Sequence, residues 1–236
     1  MAEPDTNDIA SRIAAIDSED ASAALVADLR TIGGGARLLA ELAANNSLDV
    51  RAYVADHAAD VLGTGAVAIL LTLSRDRSAD VRSIAMEELI ALSPSDARRL
   101  GPSLRRLVSR GGYFDRIFAM WQLVRINDGE AIRLLEEVAA REPLSEHGAV
   151  AETAALLLHG RDGEVRARLL AHDHRKTKSI AMGLAVRADA ADRDALQRGA
   201  DSLPDDECRT WCASALAVAR RHDAAAKSQR SEPAKG

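Results

Sequence analysis

The 236-residue chain holds 47 alanines and only six aromatic residues: Tyr53, Tyr113, Phe114, Phe118, Trp121 and Trp211. Apolar residues make up 47% and charged residues 28%, which is enough to bury a core and too apolar for a wholly disordered chain. So few β-branched and aromatic residues argue strongly against a sandwich or barrel and for an all-α fold, while a net charge of −5 argues against a surface that is a polyanion receptor throughout.

In chain order, the first 30 residues carry seven acids and two arginines, and MAEPDTNDIA has no basic stretch leading into an apolar one, so no secretory signal is expected. Residues 1–33 read as an acidic capping pair of helices, with Ser18 as an N-cap and Gly33 as a C-cap. From 34 to 220 the chain repeats itself. Six segments align without gaps from Arg51, Arg82, Arg116, Gly148, Lys178 and Arg209, at spacings of 31, 34, 32, 30 and 31 residues. Counting the first residue as zero, position 2 is large and apolar (Tyr53, Ile84, Phe118, Val150, Ile180, Trp211) and position 3 is small (Val54, Ala85, Ala119, Ala151, Ala181, Cys212). With positions 6, 7 and 10 this is one broad buried helical face.

A shorter amphipathic helix precedes each segment, from ARLLAELAANN through AVAILLTLSRD, PSLRRLVSR, AIRLLEEVAAR and EVRARLLAHD to DALQRGADSL. Asp49 and Asp80 stand where N-caps of the second helices are expected. Each unit of about 31 residues is a helical hairpin that must stack on its neighbours. The longest apolar run, Ala66 to Leu71, is too short to cross a bilayer. Two cysteines, Cys208 and Cys212, fit a reducing compartment, and the expectation is a soluble cytoplasmic protein with no membrane partner. Residues 221–236 lose the periodicity and read as a disordered, weakly basic tail.

The turn followed by Asp-Val-Arg, intact at Asp49-Val50-Arg51 and Asp80-Val81-Arg82, resembles the HEAT-repeat family, especially its short bacterial, phycobilin-lyase-like form. The resemblance covers roughly residues 34–220 and weakens later: Asp115-Arg116 keeps part of it, Lys178 and Arg209 keep the base, and Gly148 loses it. It implies a right-handed α-solenoid of about six hairpins behind the divergent N-terminal pair. It also implies that the aspartates and Arg51, Arg82, Arg116, Lys178 and Arg209 form structural ladders between adjacent units, and that the second helices line a concave face.

At position 5 the other units carry Asp56, Glu87, Thr153, Gly183 and Ser214, which reads as a solvent-facing position, whereas the third unit carries Trp121. An exposed Trp121, with Arg125 one turn on to stack against it and Ile117 one turn back, makes an apolar and cationic stripe. Glu87, Thr153, Gly183 and Arg187 are expected to flank it as a partner-binding surface. The other reading has the loop RGGYFDR covering the indole. Trp211, at position 2, reads as core.

The segment 97–127 holds seven arginines and one acid, and Arg105, Arg106 and Arg110 there, with Arg175 and Lys176, are the candidate anion-binding residues. His172 and His174 have the spacing of two metal ligands, but the sequence shows no third or fourth, so they read as part of a solvated basic turn and no metal or other cofactor is expected. Cys208 and Cys212 read as core thiols. The glycine clusters lack a P-loop lysine, and no G-x-S-x-G, H-E-x-x-H or C-x-x-C occurs.

Three functions follow. The first is a non-catalytic scaffold or adaptor that binds a protein along its concave face near the third repeat. The second is a nucleic-acid protein resembling the HEAT-like glycosylases for alkylated bases, with Trp121 holding the base, Glu87 or Asp115 as the carboxylate and the 97–127 arginines on phosphates. The third, carried by repeat type alone, is a chromophore lyase-like or chaperone subunit.

Overall fold

The computed structural model describes the backbone of residues 5–231 and the side chains of residues 5–221. Among them the regular elements are all helical, with no strand, in agreement with the composition. The chain divides into two compact units, Met1–Leu100 and Gly101–Gly236.

In the first unit α1 (Thr6–Ala14) and α2 (Glu19–Thr31) are followed by α3 (Gly35–Ala43), α4 (Leu48–Leu62), α5 (Val67–Leu73), α6 (Ala79–Leu92) and the single turn α7 (Pro94–Ala97). Helix α4 packs on α2, α3, α5 and α6. The second unit holds α8 (Gly101–Arg110), α9 (Tyr113–Arg125), α10 (Ile132–Arg141), α11 (Glu146–Leu158), α12 (Asp162–Leu170), α13 (His174–Arg187), α14 (Ala190–Ser202) and α15 (Asp206–Ser231). Here α9, α11, α13 and α15 pack each against the next, while α8, α10, α12 and α14 pack on α9, α11, α13 and α15 respectively. The helical backbone of α15 reaches into the segment read as a tail, of which residues 232–236 lie outside the described residues.

The small residues at position 3 are the pivots of this packing: Val54, Ala85, Ala119, Ala151, Ala181 and Cys212 are all completely buried. Short side chains there let neighbouring helices approach, and large ones at position 7, such as Leu89 and Leu123, fill the seam. Fully burying each leucine stabilises by roughly 1.5–3 kcal/mol.

Four of the five basic residues at position 0 hold backbone carbonyls, while Lys178 instead pairs with Glu146. Arg51 donates through Nη1 to the carbonyls of Asn45 (2.9 Å), Asn46 (2.9 Å) and Ser47 (3.0 Å), and through Nε and Nη2 to Asp76 Oδ2 (2.7 Å) and Oδ1 (3.2 Å). Arg82 holds the carbonyls of Asp76 and Arg77, Arg116 holds Val108 O and Glu142, and Arg209 holds Leu203 O. These bases therefore clamp the turns between helices. Gly148 lacks a base because a Cβ there would collide with the carbonyl oxygen of Glu142, so backbone contact replaces the clamp.

Three local expectations need correction. Asp49 and Asp80 are not N-caps: α4 and α6 begin behind Ser47 and Ser78, which leaves both aspartates in the first turn, where a carboxylate meets the positive end of the helix dipole. The carboxylate that Arg51 grips is Asp76, one turn before the signature aspartate. After α2 the left-handed residue is Gly34 (φ 85°), not Gly33, although Ser18 caps α2 as expected, accepting from Ala21 N at 3.2 Å.

The stretch Leu48–Leu73 is long and apolar enough, by length and composition, to span a bilayer. It is not one rod. Gly63 breaks it at φ 53°, and α5 folds back on α4 and α6, burying Leu70 and Leu73 in protein.

Candidate functional site

Trp121 is not at the surface. It is 7% exposed, in the core between α11 and α13. A Cβ added to Gly183 would stand 3.2 Å from Trp121 Cη2, 2.9 Å from Thr153 Cγ2 and 3.1 Å from Leu157 Cδ1. Position 5 is thus exposed in α4, α6 and α15, at Asp56, Glu87 and Ser214, but buried in α9, α11 and α13. Glycine and threonine on the two following helices leave the space that the indole fills. Nor does a loop cover it, because Tyr113 and Phe114 open helix α9 and point outward.

The other residues of the expected stripe do not assemble. Thr153 is buried and donates its hydroxyl to Ala149 O (2.9 Å), Arg125 donates to Gln122 Oε1 (3.2 Å), and Arg187 pairs with Asp162 (3.3 Å). Ile117 is half-buried, and Glu87 is exposed on α6 of the first unit. The anion-binding candidates fall in two places. Arg105, Arg106 and Arg110 line a shallow depression on α8 beside Leu134, but Arg105 is already paired with Asp128 and Glu130. Arg175 and Lys176 line a separate cavity, where Lys176 donates to Glu152 (2.6 Å).

That second cavity has a volume of about 540 Å³. Three caps build it. Ser145 accepts from Gly148 N (3.0 Å) to start α11, Asp173 from Arg175 N (3.1 Å) to start α13, and Asp205 Oδ1 from the amides of Glu207 (2.8 Å) and Cys208 (3.0 Å) to start α15. The caps present Leu144, Glu146, His174, Arg175, Lys178 and Trp211 to one space. Trp211 is half-exposed there rather than core, with its ring 5.3 Å from that of His174.

Leu144 on the cavity wall is 83% exposed, and at the start of α9 Phe114 is 82% and Tyr113 48% exposed. The Tyr113 hydroxyl donates to Glu146, which Lys178 also binds at 2.9 Å; together they hold the Glu146 carboxyl below the usual range, and the same bond pushes the Tyr113 phenol up. Glu146 thereby stays ionised and paired with Lys178. The Arg175 guanidinium has no partner among the described residues, so the cavity keeps a cation free beside an indole and a leucine.

Beneath this wall lies a cluster that the sequence did not assemble. A ring nitrogen of His172, a carboxylate oxygen of Asp205 and Cys208 Sγ lie within 4.8 Å of one another, and His174 Nδ1 stands 3.5 Å from Cys208 Sγ and 3.3 Å from Asp205 Oδ2. The spacings of 33 and 34 residues from His172 to Asp205 and from His174 to Cys208, close to one repeat, were the available signal. Burial pushes both thiols up, that of Cys212 to about 11. Cys212 is the core thiol the register predicts.

In the first unit Ser22 Oγ meets His57 Nε2 at 3.1 Å, and His57 Nδ1 meets Asp60 at 3.4 Å. The order resembles a nucleophile, base and orienting acid, but Asp60 is open to water and Ser22 sits in the first turn of α2 with its carbonyl taken by Tyr53 (3.2 Å). Such a helical position offers no free pair of amides for an oxyanion.

No known protein-family model matches the chain, and no curated protein matches it.

Proposed function

We propose that the chain is a right-handed solenoid of HEAT-like hairpins that works as a non-catalytic interaction module, and that it docks a peptide segment of a partner protein in the cavity between α11, α13 and α15. The recognised segment carries a large apolar residue next to an aspartate or glutamate. The observation that carries this reading is an exposed Leu144 on the cavity wall, with exposed Tyr113 and Phe114 at the start of α9 next to Glu146, together with a cavity in which Tyr113 and Lys178 hold Glu146, Asp173 caps α13 and the Arg175 guanidinium has no partner among the described residues. An apolar side chain gains area on Leu144 and Trp211, and its acidic neighbour pairs with Arg175. The repeat register and, in the second unit, the packing of α9, α11, α13 and α15 each against the next support the solenoid.

The base-excision alternative loses support, since Trp121 is buried under Gly183 and Thr153 and has no face left to stack on a base. The lyase-like reading still rests on repeat type alone.

Selection of a random peptide library on the full chain tests the proposal. Enriched peptides should share an apolar anchor flanked by acids and should lose binding to a Leu144→Ser, Arg175→Glu variant. Peptides without that bias, or equal binding to the variant, would overturn it.

A further inference from the structure

We propose that His172, His174, Asp205 and Cys208 form a zinc site that staples the turn before α13 to the turn before α15. The ligands come as two pairs, one from each turn, and the turns belong to successive repeats of the second unit. In a tetrahedral zinc centre the metal lies about 2.3 Å from sulfur and about 2.0–2.1 Å from nitrogen, so neighbouring donor atoms stand about 3.3–3.6 Å apart. His172, Asp205 and Cys208 each bring one donor atom within 4.8 Å of the others; His174 Nδ1 lies 3.5 Å from Cys208 Sγ and 3.3 Å from Asp205 Oδ2 but groups with Asp205 and Glu207 rather than with His172, so its exposed ring has to turn to complete the four.

A further observation points to a ligand. His172 Nε2 is sealed from solvent and has no hydrogen-bond partner, which is a costly state for an imidazole nitrogen unless something binds it. Around these donors the division of labour is complete. Asp205 spends Oδ1 on the α15 amides and leaves Oδ2 toward His174, while Glu207 lies 3.8 Å from His174 Nε2, on the far side of that ring, where a carboxylate orients a metal-bound histidine.

The donor set selects the metal class. Two imidazoles, one carboxylate and one thiolate suit zinc and its spectroscopic substitute cobalt(II), whereas calcium and magnesium want oxygen alone. Binding releases the Cys208 proton to solvent and forms the sulfur–metal bond. Because His174 also flanks Trp211, the ion would fix one wall of the cavity, but the site stands whatever the cavity binds.

The test uses the full chain, stripped with a chelator and titrated with zinc against a chromophoric competitor, then with cobalt(II) followed by absorption. One equivalent per chain is expected, with a thiolate-to-cobalt charge-transfer band and the intense visible bands of tetrahedral cobalt. Cys208→Ser should abolish the charge-transfer band. Cys212→Ser, one turn further along the same helix, should keep it. His172→Gln and Asp205→Asn, both in turns, should weaken zinc by at least about tenfold and carry the test if the buried Cys208 variant fails to fold. Circular dichroism of the metal-free variants checks that the helices persist. No stoichiometric uptake, a band that survives Cys208→Ser, or zinc affinity unchanged in both turn variants would overturn the site and leave His172 Nε2 bound to an ordinary buried water.

Discussion

Two pairs of adjacent turns, one in each unit, are finished in opposite ways. In the first unit Arg51 joins the turn before α4 to the turn before α6, and its guanidinium meets three carbonyls and both oxygens of Asp76. Asp76 Oδ1 accepts again from Ser78 N at 2.8 Å. In the second unit the turns before α13 and α15 face each other through His172, His174, Asp205 and Cys208, and one buried nitrogen is left unpaired. The difference lies in the satisfaction of polar groups: the closed network holds its turns together by itself, while the other leaves a buried nitrogen for the proposed ion to bind.

The sharpest way to break the comparison is Arg51→Ala. It removes one partner of a buried pair, leaving the Asp76 carboxylate only the Ser78 amide as a hydrogen-bond donor and taking the guanidinium from the Asn45, Asn46 and Ser47 carbonyls, so a loss of about 3–5 kcal/mol is expected by urea unfolding, whether or not zinc is present. A loss below about 1 kcal/mol would place this pair with ordinary surface ion pairs and remove the contrast.

Next in size is Trp121→Phe, a change that asks whether position 5 in α9 is core or interface. Replacing the indole leaves an unfilled space against Gly183 and Thr153, with an expected cost of roughly 1–3 kcal/mol. A variant as stable as the parent would return Trp121 to the surface.

The pH dependence separates the two networks again. Burial raises the Asp76 carboxyl, but the hydrogen bonds from Arg51 and Ser78 and the nearby guanidinium charges outweigh it and leave it below its ordinary 3.8. A depressed folded value means that the stabilisation is fully present above the unfolded value and is lost as pH falls through the folded one. The stability difference between the parent and Asp76→Asn should therefore hold level from neutral pH down to about 5 and shrink below about 4. A difference that is flat to pH 2 would mean that the Asp76 charge contributes nothing.

Much of the fold was legible because it is written as a period. The position-3 residues, the six second helices and the Ser18 cap can be read from side-chain size and spacing alone, since burial of a small residue at a helix contact is a local demand. What failed was inference across repeats. Trp121 reads as exposed only if position 5 faces solvent in every unit, yet position 5 is buried in three successive repeats, at Trp121, Thr153 and Gly183, and the small Thr153 and Gly183 make room for the indole. The aspartate signature likewise marks the turn correctly while misplacing the ion pair, because Asp76 rather than Asp80 lies within reach of Arg51. The His172, Asp205 and Cys208 cluster was illegible for the same reason: His172 and His174 gain Asp205 and Cys208 only once α13 and α15 are packed.

The smallest expected effect is the one that tests the open side of the comparison. Phe114 and Leu144 are almost wholly exposed and support no helix contact that their loss would empty. Changing both to serine should therefore leave unfolding free energy within about 0.5 kcal/mol of the parent, while a peptide selected on the parent loses its binding. Trp211, on the cavity wall, reports the two results together, since its emission should shift when peptide binds the parent and stay fixed in the variant. If stability falls by more than about 1 kcal/mol instead, the two residues are packing surface, and exposed apolar area at this end of the second unit ceases to argue for a partner.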